Sequence, residues 1–218
     1  MRHAQCGKRH APAKRLRIVR FAWCVESRSG YSLLELMFAS ALCVTLAAVA
    51  APLLFAAADD VRAAGAVRYV STRLQQARME AVGRSADVGV RFVQASDGYE
   101  FAVYVDGNGN GVRTRDIQGN LDPRIGSAER LPDHFAGVDF GVLPSLPPVD
   151  AGSAAPGTDP IKLGASSILT FTPLGMSSSG SLYLRGRRNS QYVIRILGET
   201  GKTRVLKFDL RARQWKPS

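Results

Sequence analysis

An α+β fold is predicted for this chain: one long N-terminal helix, apolar first and amphipathic after, packed on an antiparallel β domain. Three observations predict it. Residues 31–58 are 28 residues with a single formal charge, Glu35. Apolar residues then recur at intervals of three and four up to about residue 82. Beyond that point the period changes to two, in short runs broken by Gly, Pro, Asn and Asp.

The 218 residues suit one domain with an added segment, and 45% hydrophobic residues against 22% charged are enough to bury a core. All three cysteines, Cys6, Cys24 and Cys43, fall in the first fifth of the chain. The rest therefore has no thiol for a disulfide, a zinc site or a Cys nucleophile. The net charge of +11 hides a layout of +7 over residues 1–30, −4 over residues 31–180 and +8 over residues 181–218. Sign asymmetry on this scale points to membrane or nucleic-acid contacts.

A bilayer core of about 30 Å needs about 20 apolar residues in a helix, so residues 31–58 can span it. Basic residues precede the run and Asp59-Asp60 follow it, which predicts an N-terminus in the cytoplasm and the bulk of the chain outside. The rival reading is a secretory signal removed after Ala56-Ala57-Ala58. The run is too long for an ordinary signal core of about 7 to 15 residues, and it carries Glu35 near its start. A carboxylate inside an apolar span costs about 2.5 to 3.5 kcal/mol on insertion scales, so Glu35 needs a partner or a purpose.

Around Glu35 the sequence reads Arg28-Ser29-Gly30-Tyr31-Ser32-Leu33-Leu34-Glu35-Leu36. These residues resemble the class III signal of type IV pilins and pseudopilins. The resemblance implies cleavage by a prepilin peptidase between Gly30 and Tyr31, N-methylation of Tyr31, and pairing of Glu35 with the terminal amine of a neighbouring subunit. Tyr31 stands where Phe is usual and Ser32 where Thr is usual. The leader is longer than most, which suggests translation starting nearer Val25.

Pro52 removes one backbone hydrogen bond and bends the helix without ending it. After it, Val61, Ala64, Val67, Val70, Leu74, Ala77 and Ala81 form an apolar stripe, with Arg62, Arg68, Arg73 and Arg78 between them. A stop is expected near Gly83 as the C′ residue, giving a helix over residues 31–82, about 78 Å at 1.5 Å per residue. The expected divisions are a cleaved leader (1–30), a membrane and assembly half-helix (31–58), an amphipathic half-helix (59–83) and a periplasmic β domain (84–218).

In that domain, Val88, Val90 and Phe92 alternate, as do Tyr99, Phe101, Val103 and Val105, with Asp97-Gly98 as the turn of a hairpin. Further strands are expected at 138–142, 168–172, 181–185, 191–197 and 203–210. Residues 143–160 hold five prolines and few large apolar residues, and read as a long exposed loop. A spanning helix followed by strands, with Phe171-Thr172-Pro173-Leu174-Gly175 and then Ser177 to Ser181 before Leu182-Tyr183-Leu184, resembles the GspH/FimT class of minor pseudopilins. The resemblance covers residues 28–208 and implies a pilin-like fold. It also implies an inner-membrane subunit of a type IV pilus or type II secretion pseudopilus, partnered by other major and minor pilins or pseudopilins.

Little of the sequence suggests catalysis. Asp106-Gly107-Asn108-Gly109-Asn110-Gly111 places Asp106, Asn108 and Asn110 like the opening of a calcium loop, but Ile117 stands where the bidentate acid is due; a Gly/Asn turn explains the same residues. Gly198-Glu199-Thr200-Gly201-Lys202-Thr203 resembles the end of a phosphate loop, yet the preceding Gly is missing and a strand pattern follows. No G-x-S-x-G occurs and no paired-carboxylate constellation suited to catalysis is visible, so an enzyme is not expected, nor a cofactor. The remaining signal is the basic C-terminal block: Arg185, Arg187, Arg188, Arg195, Lys202, Arg204, Lys207, Arg211, Arg213 and Lys216, with Tyr183, Tyr192 and Trp215 among them. FimT-like members of the class bind DNA through a C-terminal Gly-Arg-x-Arg motif. Gly201-Lys202-Thr203-Arg204 resembles it, with Lys for the first Arg, which makes DNA a candidate partner.

Overall fold

The computed structural model describes residues 30–150 and 152–218. The leader up to Ser29, including Arg28, Cys6 and Cys24, lies outside the described residues. The chain separates into two compact units, residues 1–46 and 47–218, and helix α1 (Leu33–Arg84, 52 residues) runs through the division.

In the first unit α1 starts on a capping serine. Ser32 Oγ accepts the Glu35 N–H at 3.2 Å, and the Ser32 carbonyl accepts the Leu36 N–H at 3.1 Å. Ser32 thus satisfies donors that have no partner in a first helical turn. Every described residue of this unit is exposed.

In the second unit α1 buries one stripe, Ala63, Ala66, Val67, Val70, Leu74, Ala77 and Ala81. Val61, expected on that stripe, is 72% exposed, and Ala64 is only partly buried; the true stripe starts from Ala63 and Ala66. The stop differs from the expectation as well. Gly83 is helical with open space around it, and the left-handed residue that ends the helix is Ser85, at φ 53°. Ala86 N–H reaches the Ala81 carbonyl at 3.3 Å and Ser85 N–H the Val82 carbonyl at 3.4 Å, the paired bonds of a Schellman ending.

Two antiparallel sheets cover the stripe. The first has the order β3-β2-β1-β6, from β1 (Val88–Ala95), β2 (Gly98–Val105), β3 (Arg124–Arg130) and β6 (Ile168–Phe171). The second has the order β10-β9-β8-β7-β4, from β4 (Asp139–Phe140), β7 (Gly180–Arg185), β8 (Gln191–Leu197), β9 (Lys202–Asp209) and β10 (Gln214–Pro217); β5 (Ile161–Lys162) also pairs with β7. Short helices α2 (Thr114–Gln118) and α3 (Leu131–His134) lie in the connections. The predicted β1–β2 hairpin is present, with Ala95 opposite Gly98. Gly98 is required twice over: its φ is 116°, and a Cβ there would stand 1.9 Å from an Asp139 oxygen.

One core joins the helix stripe to Val88, Val90, Phe101, Leu169, Phe171, Leu182, Leu184, Ile194 and Ile196. The other face of the second sheet corrects the reading of residues 143–160. They contain no long strand, but Leu143 and Leu146 are buried with Phe208 and Trp215, and Val149 packs beside Tyr183, Val193 and Leu206. That stretch is a cover, not an exposed loop. Gln191, 0% exposed, anchors its start: its Oε1 accepts the Leu143 N–H at 2.9 Å, and its Nε2 donates to the carbonyls of Gly141, Leu184 and Tyr192.

Leucine keeps the volume at this position but leaves the Leu143 N–H and three carbonyls short of a partner. Gln191→Leu is therefore expected to cost about 3 kcal/mol and to lower Tm by roughly 6–12 °C. Circular dichroism of the detergent-solubilised chain checks it; an unchanged Tm contradicts the anchoring role.

Candidate functional site

Two surfaces combine chemistry with exposure. One is the apolar part of α1. Tyr31, Leu33, Leu36, Phe38, Leu46, Leu53 and Phe55 are 61–78% exposed, and the helix is long and apolar enough to cross a membrane with none of that window buried. Apolar surface left bare on every side of a helix suits lipid or other helices, not water. Glu35 sits in the first turn, exposed, with its carboxylate unpaired among the described residues. The Ser32-x-x-Glu35 spacing is a capping-box pattern, a signal in the sequence that identifies the helix start and that the signal-peptide reading alone overlooks. A Cβ at Gly30 would meet none of the described residues within 4 Å, so their packing does not demand glycine there.

The other surface is the basic C-terminal block, which the structure divides. Register and strand period place Arg195 and Arg204 directly opposite each other on the face away from α1, with Lys202 and Leu197 the next pair out. Like charges opposite one another repel. Arg195 is relieved by Asp150, with which it forms an ion pair, and donates to Ser181 Oγ at 2.8 Å. Lys202 and Arg204 are exposed and have no acidic partner among the described residues. Lys207 has the opposite parity and faces α1. Its Nζ lies 3.2 Å from Asp60 and 5.6 Å from the Tyr192 ring centre. Burial opposes its charged form, but the Asp60 contact outweighs that and raises its pKa.

The turn residues take other positions. Arg188 reaches Asp59 at 3.4 Å and the Pro52 carbonyl at 3.4 Å. Arg185 donates to Asn189 Oδ1 at 3.1 Å, Arg187 lies against Gly137, and Arg213, at φ 51°, donates to the Ser145 carbonyl. Arg211 is exposed without an acidic partner among the described residues. Sequence reasoning placed all ten cations in one block and missed the three aspartates, Asp59, Asp60 and Asp150, that divide it.

In the Gly/Asn loop, Asp106 serves the backbone. Its carboxylate accepts the N–H groups of Asn108, Gly109 and Gly111, while Asn108 Oδ1 accepts the Asn110 N–H. Burial by itself would raise the Asp106 pKa, but hydrogen bonds from Gly111, Asn108, Gly109 and Asn110 hold it below the usual carboxylate value. Buried Asp122 closes the loop by accepting the Gly107 and Arg113 N–H groups. Among the described residues no three Asp, Glu, His or Cys side chains could hold a metal ion together. The Gly198 to Thr203 segment is the β8–β9 turn. Gly201 has φ 61°, and a Cβ there would lie 2.4 Å from the Gly175 carbonyl, which Arg78 of α1 also binds at 2.9 Å.

Asp209, at the β9–β10 turn, accepts from Lys216 Nζ at 2.6 Å and from the Ala212 and Arg211 N–H groups. The Lys216 bond first, then the two amides, lower its pKa to about 2. The folded value lies below the unfolded one, so whatever stability this contact contributes is complete above about pH 3.8 and is lost as pH falls toward 2. An NMR titration of Asp209 is expected to give about 2 in the intact chain and a value moved toward 3.8 in Lys216→Gln; equal values in both would remove Lys216 as the cause.

A family model described as type II transport protein GspH matches residues 66–201. Among solved structures, the minor pseudopilin EpsH from the type 2 secretion system of Vibrio cholerae is similar, at 16% identity and a TM-score of 0.41, over 67% of this chain and 97% of that one. No curated protein matches this chain.

Proposed function

The chain belongs to the GspH family of type II transport proteins, and from that premise we propose that it is a minor pseudopilin or minor pilin, an assembly subunit and not a catalyst. Its place is the inner membrane, single-pass, with the N-terminus cytoplasmic and the β domain periplasmic. A prepilin peptidase cuts between Gly30 and Tyr31, Tyr31 is N-methylated, and Glu35 meets the terminal amine of a neighbouring subunit as the helices assemble into a type II secretion pseudopilus or a type IV pilus. The observation that supports this most is the division of α1. Its second half buries one stripe in the β domain, while its first half leaves its large apolar side chains bare, with only Ala51, Ala56 and Ala58 partly covered. A soluble domain has no use for that surface; a filament of packed helices does. Glu35, one charge on an apolar helix, has no counter-charge among the described residues, and a neighbouring subunit's terminal amine supplies one.

Gly30→Ala is expected to leave the leader attached, because on this reading the peptidase requires a residue without Cβ at the cut, while the described residues around Gly30 have room for one. Glu35→Ala is expected to be cut normally and to assemble poorly. Mass spectrometry of the membrane-extracted chain and recovery in sheared filaments measure the two effects. A mature terminus at Asp59 would instead establish a removed secretory signal.

A second reading is DNA capture for uptake during transformation, favoured by the exposure of Lys202 and Arg204 without acidic partners. With no groove-reading helix among the basic elements, binding is expected to be weak and independent of sequence. If about four side chains touch phosphates, log K falls with log salt at a slope of about −3.6, since each contact contributes about −0.9. For a soluble fragment starting near Asp59, Lys202→Gln with Arg204→Gln is expected to remove up to about two such contacts. Arg62→Gln with Arg68→Gln is expected to remove none. Mobility shifts over a salt series measure this, and equal losses from both pairs would end the reading.

A further inference from the structure

Between α1 and the end of the second sheet lies a cleft of about 610 Å³, walled by Ala56 and Asp60 of the helix and entered by Arg188, Lys207, Arg211 and Lys216. These cations come from three places in the chain, the β7–β8 turn, β9 with the turn that follows it, and β10. Three of them face carboxylates, Arg188 with Asp59, Lys207 with Asp60 and Lys216 with Asp209. Arg211 is left over and Arg188 shares Asp59 with Arg62, so the three aspartates do not cancel the cations gathered around them. Directly beside the cleft, Leu53, Leu54 and Phe55 are 64–68% exposed on α1. One wall is therefore hydrocarbon and the other cationic.

Arg188 sets the level of the boundary. Its side chain meets the Pro52 carbonyl, one to two helical turns before Asp59. A guanidinium held there cannot lie in the bilayer core without a large cost. If the hydrocarbon ends at about Pro52, residues 31–51 span about 31 Å at 1.5 Å per residue, the thickness of a bilayer core. Leu53 to Phe55 then lie among the headgroups and upper acyl chains, and the cleft opens at phosphate depth.

We infer that this cleft binds the phosphate of an anionic phospholipid, with Arg211 and Arg188 on the phosphodiester and Leu53 to Phe55 against the upper acyl chain. Arg211 has no acidic partner among the described residues and Arg188 only a shared one, so both can turn to a phosphodiester. Lys207 and Lys216, fixed by Asp60 and Asp209, frame the site. Nucleic acid fits less well, since a duplex would have to enter where the acyl chains and apolar side chains lie. The inference rests on the reading of α1 as a membrane helix.

The test uses the full chain in membranes and then in detergent. Alkaline carbonate extraction comes first and is expected to leave the chain in the membrane. Native mass spectrometry with added phosphatidylglycerol or phosphatidylcholine follows. A retained phosphatidylglycerol adduct is expected, weakened roughly 10- to 30-fold in Arg188→Gln with Arg211→Gln, and unchanged in Arg113→Gln with Arg124→Gln. Arg211→Gln alone removes no ion pair with an acid among the described residues, and with an unchanged Tm it is expected to show part of the loss. Extraction by carbonate would overturn the membrane helix and this site together. Retention with equal adducts of the two lipids would overturn the site alone. Equal competition by inorganic phosphate would reassign the site to a free anion, and displacement of the lipid by a short oligonucleotide would reassign it to nucleic acid; either overturns the lipid inference.

Discussion

A single helix has to satisfy two different surroundings, and the rest of this chain follows from that constraint. A helix meets its own backbone hydrogen bonds, so residues 31–58 can be apolar all round without a sheet or loop to support them. From Asp59 onward the same helix lies in water on one side and must bury the other. Its buried stripe is mostly small, with Ala63, Ala66, Ala77 and Ala81 around Val67, Val70 and Leu74. Small residues let backbones approach closely, and the larger three fill the space between the two sheets. Leu182, Leu184, Ile194 and Ile196 come from the second sheet, and Val88, Val90, Leu169 and Phe171 from the first, all into the same core. Neither sheet would have this core without the stripe.

Where the helix changes character, two adjacent acids hold two cations from the far end of the sequence. Asp59 meets Arg188 and Asp60 meets Lys207. Pairs this exposed contribute at most about 1 kcal/mol each. Their effect is geometric. They hold long, flexible basic side chains beside the end of the apolar run, and they leave the cations on the other face of β9 untouched. The Tyr192 ring under Lys207 acts in the same direction, favouring a charge at that spot.

Much of this was legible in the sequence, for identifiable reasons. The spanning helix announces itself through length and lack of charge, β1, β2 and β9 through alternation, and β6, β7 and β8 through short apolar runs whose residues are buried on both faces. The strands that went unread lack that enforcement. β3, with the sequence RIGSAER, alternates weakly and carries three charges. β10 includes Pro217 and pairs only with β9, as an edge strand can. The cover made by residues 143–150 looked exposed because its apolar residues are spaced by prolines, and only the outer face of the second sheet gives them a place to go. The helix stop was displaced by two residues, since Ser85 accepts the left-handed conformation that Gly83 was expected to supply. At the functional surfaces, residue types were legible and partners were not: nothing local in the sequence ties Asp59 to Arg188 or Asp150 to Arg195.

The C-terminal charge of +8 is consequently not one patch. Strand parity sends Arg195, Lys202 and Arg204 to the face away from α1 and Lys207 to the face against it. On the outer face of β8 and β9, Asp150 neutralises Arg195, the innermost cation, so the charge left free on these two strands lies toward the tip of their hairpin, while Arg185, Arg187 and Arg213, exposed elsewhere, have no acidic partner among the described residues. On the inner face, the aspartates leave almost no free charge until the β9–β10 turn, where Arg211 stands. Weakly cationic regions result at separate places, among them one at the hairpin tip and one beside the apolar half of the helix. A total charge cannot tell them apart, whereas register can. An anion drawn to the first need not touch the second, so a membrane-facing role and an outward-facing one can coexist on the same three strands.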